Sequence, residues 1–191
     1  MILIRHGQSE FNVHFAETRQ DPGIRDPKLT DLGRRQIAAG ADYIARHHGQ
    51  DLRRILTSPY TRALQSAAIL SEKLGLPVEI DLDVREHAFF TCDIGTPRAD
   101  LEGLYPALNF TALADVWWPD SEEDHHVEDR ARTFRTRMAG HDDWAGTLVV
   151  SHWGFIRALT GHRVPNAAVL RLDPTAPHPD GGEVVSIPDV C

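Results

Sequence analysis

Three short apolar runs end in the same kind of chemistry, and that repetition limits what the chain can fold into. Met1 to Ile4 runs into Arg5, His6 and Gly7; Arg54 to Leu56 runs into Thr57, Ser58 and Pro59, with Arg62 just beyond; Thr147 to Val150 runs into Ser151 and His152. An apolar run of this length, cut off by polar residues and a turn former, reads as a short buried strand. In open α/β sheets, ligands sit beyond the carboxyl ends of the strands. If the three strands are parallel neighbours, Arg5, His6, Arg62 and His152 converge at one end of a sheet.

The segments between these runs carry helical signals. Thr30 is a candidate N-cap, followed at helical spacing by Leu32, Ile37, Ala38, Ala41, Ile44 and Ala45, with a stop near His47-His48-Gly49. Ser58 as N-cap and Pro59 in the first turn would open a helix through Arg62, Ala63, Ile69 and Leu70 to Gly75. Pro77 to Leu82 alternates and reads as a strand. Ser121 with Asp124 resembles a capped start for a helix to about Met138. A further helix follows His152 through Ile156, Ala158 and Leu159 to Gly161. Ala168–Leu172 and Val184–Ile187 are two more strand candidates. His14 to Pro27, with Asp21-Pro22-Gly23 and Asp26-Pro27, reads as loop, and Val84 to Pro106 as a long loop with short helical pieces. The pattern predicts one domain over residues 1–191: a three-layer α/β/α sandwich with a mostly parallel sheet and an antiparallel edge.

Composition narrows the function. The 191 residues carry a net charge of -8, which argues against broad nucleic-acid binding, since that needs a basic face. Any anion site must therefore gather a few cations locally. Two cysteines, Cys92 and Cys191, make no disulfide framework, and a reducing cytoplasmic setting is the expectation. No apolar segment has the length of a membrane span. The pairs His47-His48 and His125-His126 lack the spacing of zinc sites, and no metal or cofactor is expected.

Arginine offers a forked donor set that matches phosphate oxygens, and histidine can act as nucleophile or proton carrier near neutral pH. Two of each in one cleft suit a phosphoryl group. The segments LIRHGQSEFN, LTDLGRRQ, TSPYTRALQSA and VVSHWGFIRAL, in this order, resemble the histidine phosphatase superfamily in its phosphoglycerate-mutase-like branch. That resemblance implies that His6 attacks phosphorus. It implies that Arg5, Arg62 and His152 hold the phosphoryl oxygens, with Asn12 as a neutral donor; Ser58 is a further candidate for substrate binding. It also implies that a carboxylate after the third strand protonates the leaving group. Glu86, in VREHAFF, stands at that position, with His87, Asp93 and Glu102 close by in sequence. The free ring N–H of His6 is expected to be held by a backbone carbonyl, fixing the tautomer.

Three functions fit this set. A phosphomonoesterase acting on a small phosphorylated metabolite is favoured. A cofactor-dependent phosphoglycerate mutase needs extra cations after the catalytic Glu, where HAFFTCDIGTPRADLEGLYP holds only Arg98. A non-catalytic phospholigand-binding module would not need nucleophile, clamp and acid together. Trp153, directly after His152, is a candidate wall of the pocket.

Overall fold

A computed structural model describes residues 1–190; Cys191 lies outside the described residues. Six strands form one sheet: β1 (Ile2–Arg5), β2 (Arg54–Thr57), β3 (Val78–Ile80), β4 (Thr147–Ser151), β5 (Val169–Leu172) and β6 (Gly182–Ser186). Their spatial order is β3-β2-β4-β1-β5-β6. The first four are mutually parallel, with β4 inserted between β2 and β1, while β5 and β6 add antiparallel to the β1 side. The expected α/β/α sandwich is present. The six helices are α1 (Glu10–Thr18), α2 (Asp31–His47), α3 (Thr61–Leu74), α4 (Arg98–Leu104), α5 (Asp124–Ala139) and α6 (Trp153–Thr160).

Alternation along the strands builds two cores. Ile2, Ile4, Ile55, Leu148 and Val150 point to one face, where Ile37 and Ile44 of α2 and Ala63, Ala67 and Leu70 of α3 cover them. Leu3, Leu56 and Val149 point to the other, against Phe134 of α5 and Phe155, Ile156 and Leu159 of α6. Each fully buried Leu or Ile contributes about 1.5–3 kcal/mol relative to exposure, so both faces hold the sheet. A third cluster, around Tyr60, Leu64, Leu101, Phe110 and Trp117, packs the 84–119 segment onto the start of α3.

Several elements differ from the sequence reading. Residues 10–18 are helical, so the loop reading of His14 to Pro27 fails at its start, over residues 14–18. Their amphipathicity is weak, because Phe11 alone is buried, and the signal lies in the cap: the Asn12 side chain accepts a hydrogen bond from the Ser9 backbone N–H at 3.0 Å. Helix α3 begins at Thr61 with Tyr60 as N-cap, so Ser58 and Pro59 precede it as a turn. Helix α5 is entered through Glu123 rather than Ser121. Strand β3 has three residues; Asp81 leaves it to cap a 3-10 turn over Leu82–Val84. Thr30 caps α2 as expected, its hydroxyl accepting from the Gly33 N–H at 3.0 Å.

The loop after β1 is pressed directly onto the first turn of α2. A Cβ on Gly33 would stand 2.0 Å from the Gln8 carbonyl oxygen, and one on Gly7 would stand 2.2 Å from the Gly33 carbonyl oxygen. Contact of backbone with backbone leaves no flexible side chain to give way, so the His6 loop is held by two glycines. Helix propensity alone would make Gly33→Ala stabilising by about 1 kcal/mol. The clash predicts the opposite: a loss of about 1–3 kcal/mol, seen as a lower urea midpoint at unchanged slope. An unchanged or raised midpoint would show that the loop can move away.

Candidate active site

The carboxyl ends of β1, β2 and β4 open into a cavity of about 620 Å³. Arg5, His6, Asn12, Arg62 and Glu86 line it. His6 follows β1 and is 2% exposed. Its Nδ1 lies 2.7 Å from the Gly7 carbonyl oxygen. A carbonyl only accepts, so Nδ1 carries the proton and Nε2 keeps its lone pair. Burial, reinforced by the Arg62 and Arg5 charges, pushes the His6 pKa well below the ordinary histidine value. The ring is therefore neutral, as a nucleophile must be.

Arg62 sits in the first turn of α3 and is almost wholly buried. It donates to the Cys92 carbonyl at 2.8 Å and to Asp93 Oδ1 at 3.0 Å. Burial opposes its charge, but Asp93 and the other acidic neighbours outweigh that and raise its pKa. Asp93 is itself 3% exposed, and its Oδ2 accepts the backbone N–H groups of Phe89 and Phe90, each at 3.1 Å. A carboxylate buried this deeply, opposite Arg62, was visible in sequence only as a neighbour of Glu86. Arg5 donates to the Val164 carbonyl at 2.8 Å, and its Nε is buried with no protein partner. Burial lowers its pKa to about 10, which leaves it fully cationic near neutrality.

His152 lies behind His6 rather than in the cavity wall, with ring centroids 5.0 Å apart. Its Nε2 is 2.8 Å from the Ser58 hydroxyl, and its Nδ1 is buried without a partner. Burial, then the positive field of Arg62, holds its pKa well below the ordinary value. Ser58 therefore touches His152 and does not line the cavity. Asn12 does line it. Its Oδ1 accepts from Ser9 and from the Asn166 side-chain N–H, at 3.1 Å for the latter, so only its amide N–H groups remain for a ligand. Asn166 also donates to the His6 carbonyl, a link that no short motif signals.

Glu86 leaves the 3-10 turn after β3 and reaches the start of α6. Its Oε1 accepts from the Gly154 N–H at 2.8 Å and from the His87 N–H at 2.9 Å. A Cβ at Gly154 would stand 2.6 Å from that oxygen, so this glycine makes room for the carboxyl group. Burial and the nearby Asp93 charge raise the Glu86 pKa, partly offset by Arg62. With Oε1 taken by two donors, Oε2 is the oxygen that can hold a proton. The N-terminus of α6 thus serves Glu86. That of α3 serves Asp26, which accepts from the Thr61 N–H at 2.8 Å. Cys92 is buried and its thiol pKa is raised by burial, which makes it inert. Arg98 pairs with Glu102 at 3.1 Å on α4, away from the cavity. Arg19 and Trp153 line the cavity, the former unannounced by the sequence.

A family model described as histidine phosphatase superfamily, branch 1, matches residues 1–176. A bifunctional protein of Mycobacterium tuberculosis is 33% identical over 154 residues, 80% of this chain but 40% of the relative. The chain thus spans less than half the length of that relative. A glucosyl-3-phosphoglycerate phosphatase of Mycolicibacterium vanbaalenii is 31% identical over 169 residues, 84% of this chain and 72% of the relative. The solved structure of a mycobacterial glucosyl-3-phosphoglycerate phosphatase with VO3 superposes with a TM-score of 0.60 at 25% identity, over 91% of this chain and 90% of that one.

The buried histidines set a pH dependence of stability. Their folded pKa values lie below the unfolded value, so the unfolded chain binds more protons in acid, and stability falls as pH drops below about 6.5. Going from pH 7.5 to 5.5, each histidine that stays buried and neutral costs stability on the order of 1 kcal/mol. His152→Gln should remove one such share, so the difference in unfolding free energy between wild type and variant should shrink by about that amount over this range. A pH-independent difference would mean that His152 takes up its proton in the fold.

Proposed function

Because this chain belongs to the histidine phosphatase superfamily, we propose that it is a phosphomonoesterase working through a phosphohistidine at His6. The observation that carries the reading is the His6 ring: its Nδ1–H is tied to a carbonyl and its Nε2 is neutral, in a cavity lined by Arg5 and Arg62. Arg5, Arg62 and the amide of Asn12 meet the phosphoryl oxygens as fixed donors. His152, set back behind His6, supports that ring and offers an unpartnered Nδ1 beside it. The Ser58 hydroxyl donates to its Nε2, which leaves the proton on the unpartnered Nδ1. Ser58 is then a positioning residue that acts through His152.

In the first step the Nε2 lone pair forms a bond to phosphorus, and the bond from phosphorus to the substrate oxygen breaks. Protonated Glu86 gives its proton to that oxygen, and the alcohol leaves. In the second step a water oxygen attacks phosphorus, Glu86 takes a proton from the water, and the P–N bond breaks to restore neutral His6. Inorganic phosphate leaves. Glu86 ends protonated, as it began.

Hydrolysis is favoured over phosphoryl transfer to a second phosphorylated acid. The wall above His6 is built mainly from Phe11, Phe15, Phe89 and Phe90, with Arg19 as the one arginine beyond Arg5 and Arg62 among the described residues of the lining, and Arg98 stands elsewhere. A small phosphorylated molecule is the substrate class that this cavity volume admits.

His6→Ala should abolish turnover and remove the acid-labile label that wild type acquires from a 32P-labelled substrate. Glu86→Gln should lower kcat/KM on alkyl phosphates by about 100-fold or more, and on 4-nitrophenyl phosphate far less, because nitrophenolate leaves without a proton. Since the first step needs Glu86 protonated, wild-type activity on alkyl phosphates should fall as pH rises through the raised Glu86 pKa. Equal losses on both substrates would remove Glu86 from the acid role.

A further inference from the structure

We propose that the outer half of the cavity is an aromatic subsite, and that the preferred substrate is the phosphate monoester of an apolar, ring-bearing alcohol rather than of a sugar or a hydroxy acid. This assignment rests on the reading of His6 as the phosphoryl acceptor, and it names the group on the other side of the scissile bond.

Two stretches far apart in sequence supply the box. Phe11 and Phe15 stand one turn apart on α1, their rings stacked with centroids at 5.3 Å. Phe90 closes against both, at 5.4 Å from Phe11 and 5.2 Å from Phe15. Phe89 packs edge-on against Phe90 at 4.9 Å and is itself 73% exposed. A phenylalanine left that open beside a catalytic cavity offers ring surface to a ligand. The cluster is continuous with the phosphoryl hollow, since the same cavity is lined by these rings and by His6.

Several polar groups around the box are already engaged with one another, which leaves the Asn12 amide and the Arg19 guanidinium as the open ones on its side of the cavity. The Ser9 hydroxyl donates to Asn12 Oδ1. His87 directs Nε2 at the Glu122 carbonyl. Asp93 is filled by Arg62 and by the Phe89 and Phe90 N–H groups. A sugar moved into this space would give up hydrogen bonds to water and find few replacements, at about 1–3 kcal/mol for each group left unpaired. A ring loses nothing there, and a well-placed aromatic pair gains about 0.5–1.5 kcal/mol beyond area burial. Arg19 extends the surface, its guanidinium carbon 5.8 Å from the Phe15 centroid.

The test compares ethyl phosphate, 2-phenylethyl phosphate and glucose 6-phosphate, all esters of poorly leaving alcohols, so that leaving-group acidity does not imitate selectivity. The phenylethyl ester should exceed both others in kcat/KM by at least about tenfold. In Phe15→Ala/Phe89→Ala the phenylethyl-to-ethyl ratio should fall to within about threefold, while Phe15→Leu, which keeps the apolar bulk, should hold an intermediate ratio. A wild-type ratio near one, a sugar phosphate preferred, or a ratio untouched by the double substitution would overturn the aromatic subsite and leave the phosphatase standing. If none of the three esters is cleaved and none labels His6, it is the nucleophile reading that fails, and the subsite with it.

Discussion

Burying Arg62 is the constraint on which the site depends. A guanidinium taken out of water is costly unless its partner is close and the partner's own lone pairs are filled. Asp93 meets both conditions: it faces Arg62 at 3.0 Å and receives two backbone N–H groups on its other oxygen. Tyr60 lies under the guanidinium at 4.6 Å, and its hydroxyl donates to the Asp93 carbonyl at 2.6 Å. The start of α3 and the 89–93 loop are thereby locked together. Burial, reinforced by this locked charge and by Arg5, holds the two neighbouring imidazoles neutral, the state that the proposed roles of His6 and His152 require.

The sheet order explains why distant residues can share one charge environment. The chain lays down β1, β2 and β3 and later returns to insert β4 between β2 and β1. His152 is thereby placed beside His6 although 146 positions separate them, with β1 and β4 in register from Ile2–Leu148 to Arg5–Ser151. A ligand site at such a crossing of the sheet follows from topology before any side chain is chosen.

Much of this was legible in the sequence, and the reasons differ by element. Strands buried on both faces announce themselves as apolar runs, so β1, β2 and β4 and the residues at their ends could be read directly. Long helices with a wide apolar stripe, such as α2, were equally plain. Helix α1 was not, because Phe11 alone is buried there and the rest of the helix shows no period. The turn at Ser58 was misread for a different reason: its hydroxyl accepts the Tyr60 N–H as a cap would, but it also meets His152 across the fold, and the helix starts only at Thr61. Asp93 and Asn166 act through contacts spanning 31 and 160 residues, which one sequence cannot reveal.

Asp93 also ties two properties into one carboxylate. One of its oxygens fixes Arg62, the arginine proposed to grip phosphate, and the other fixes the backbone of the rings at the cavity mouth. Drift in the residues from Phe89 to Asp93 therefore cannot retune the mouth without disturbing the grip. Lineages or engineers seeking new selectivity would find freer ground on α1 and just past its end, where Phe15 and Arg19 reach the same rim and share no atom with the anchor of Arg62.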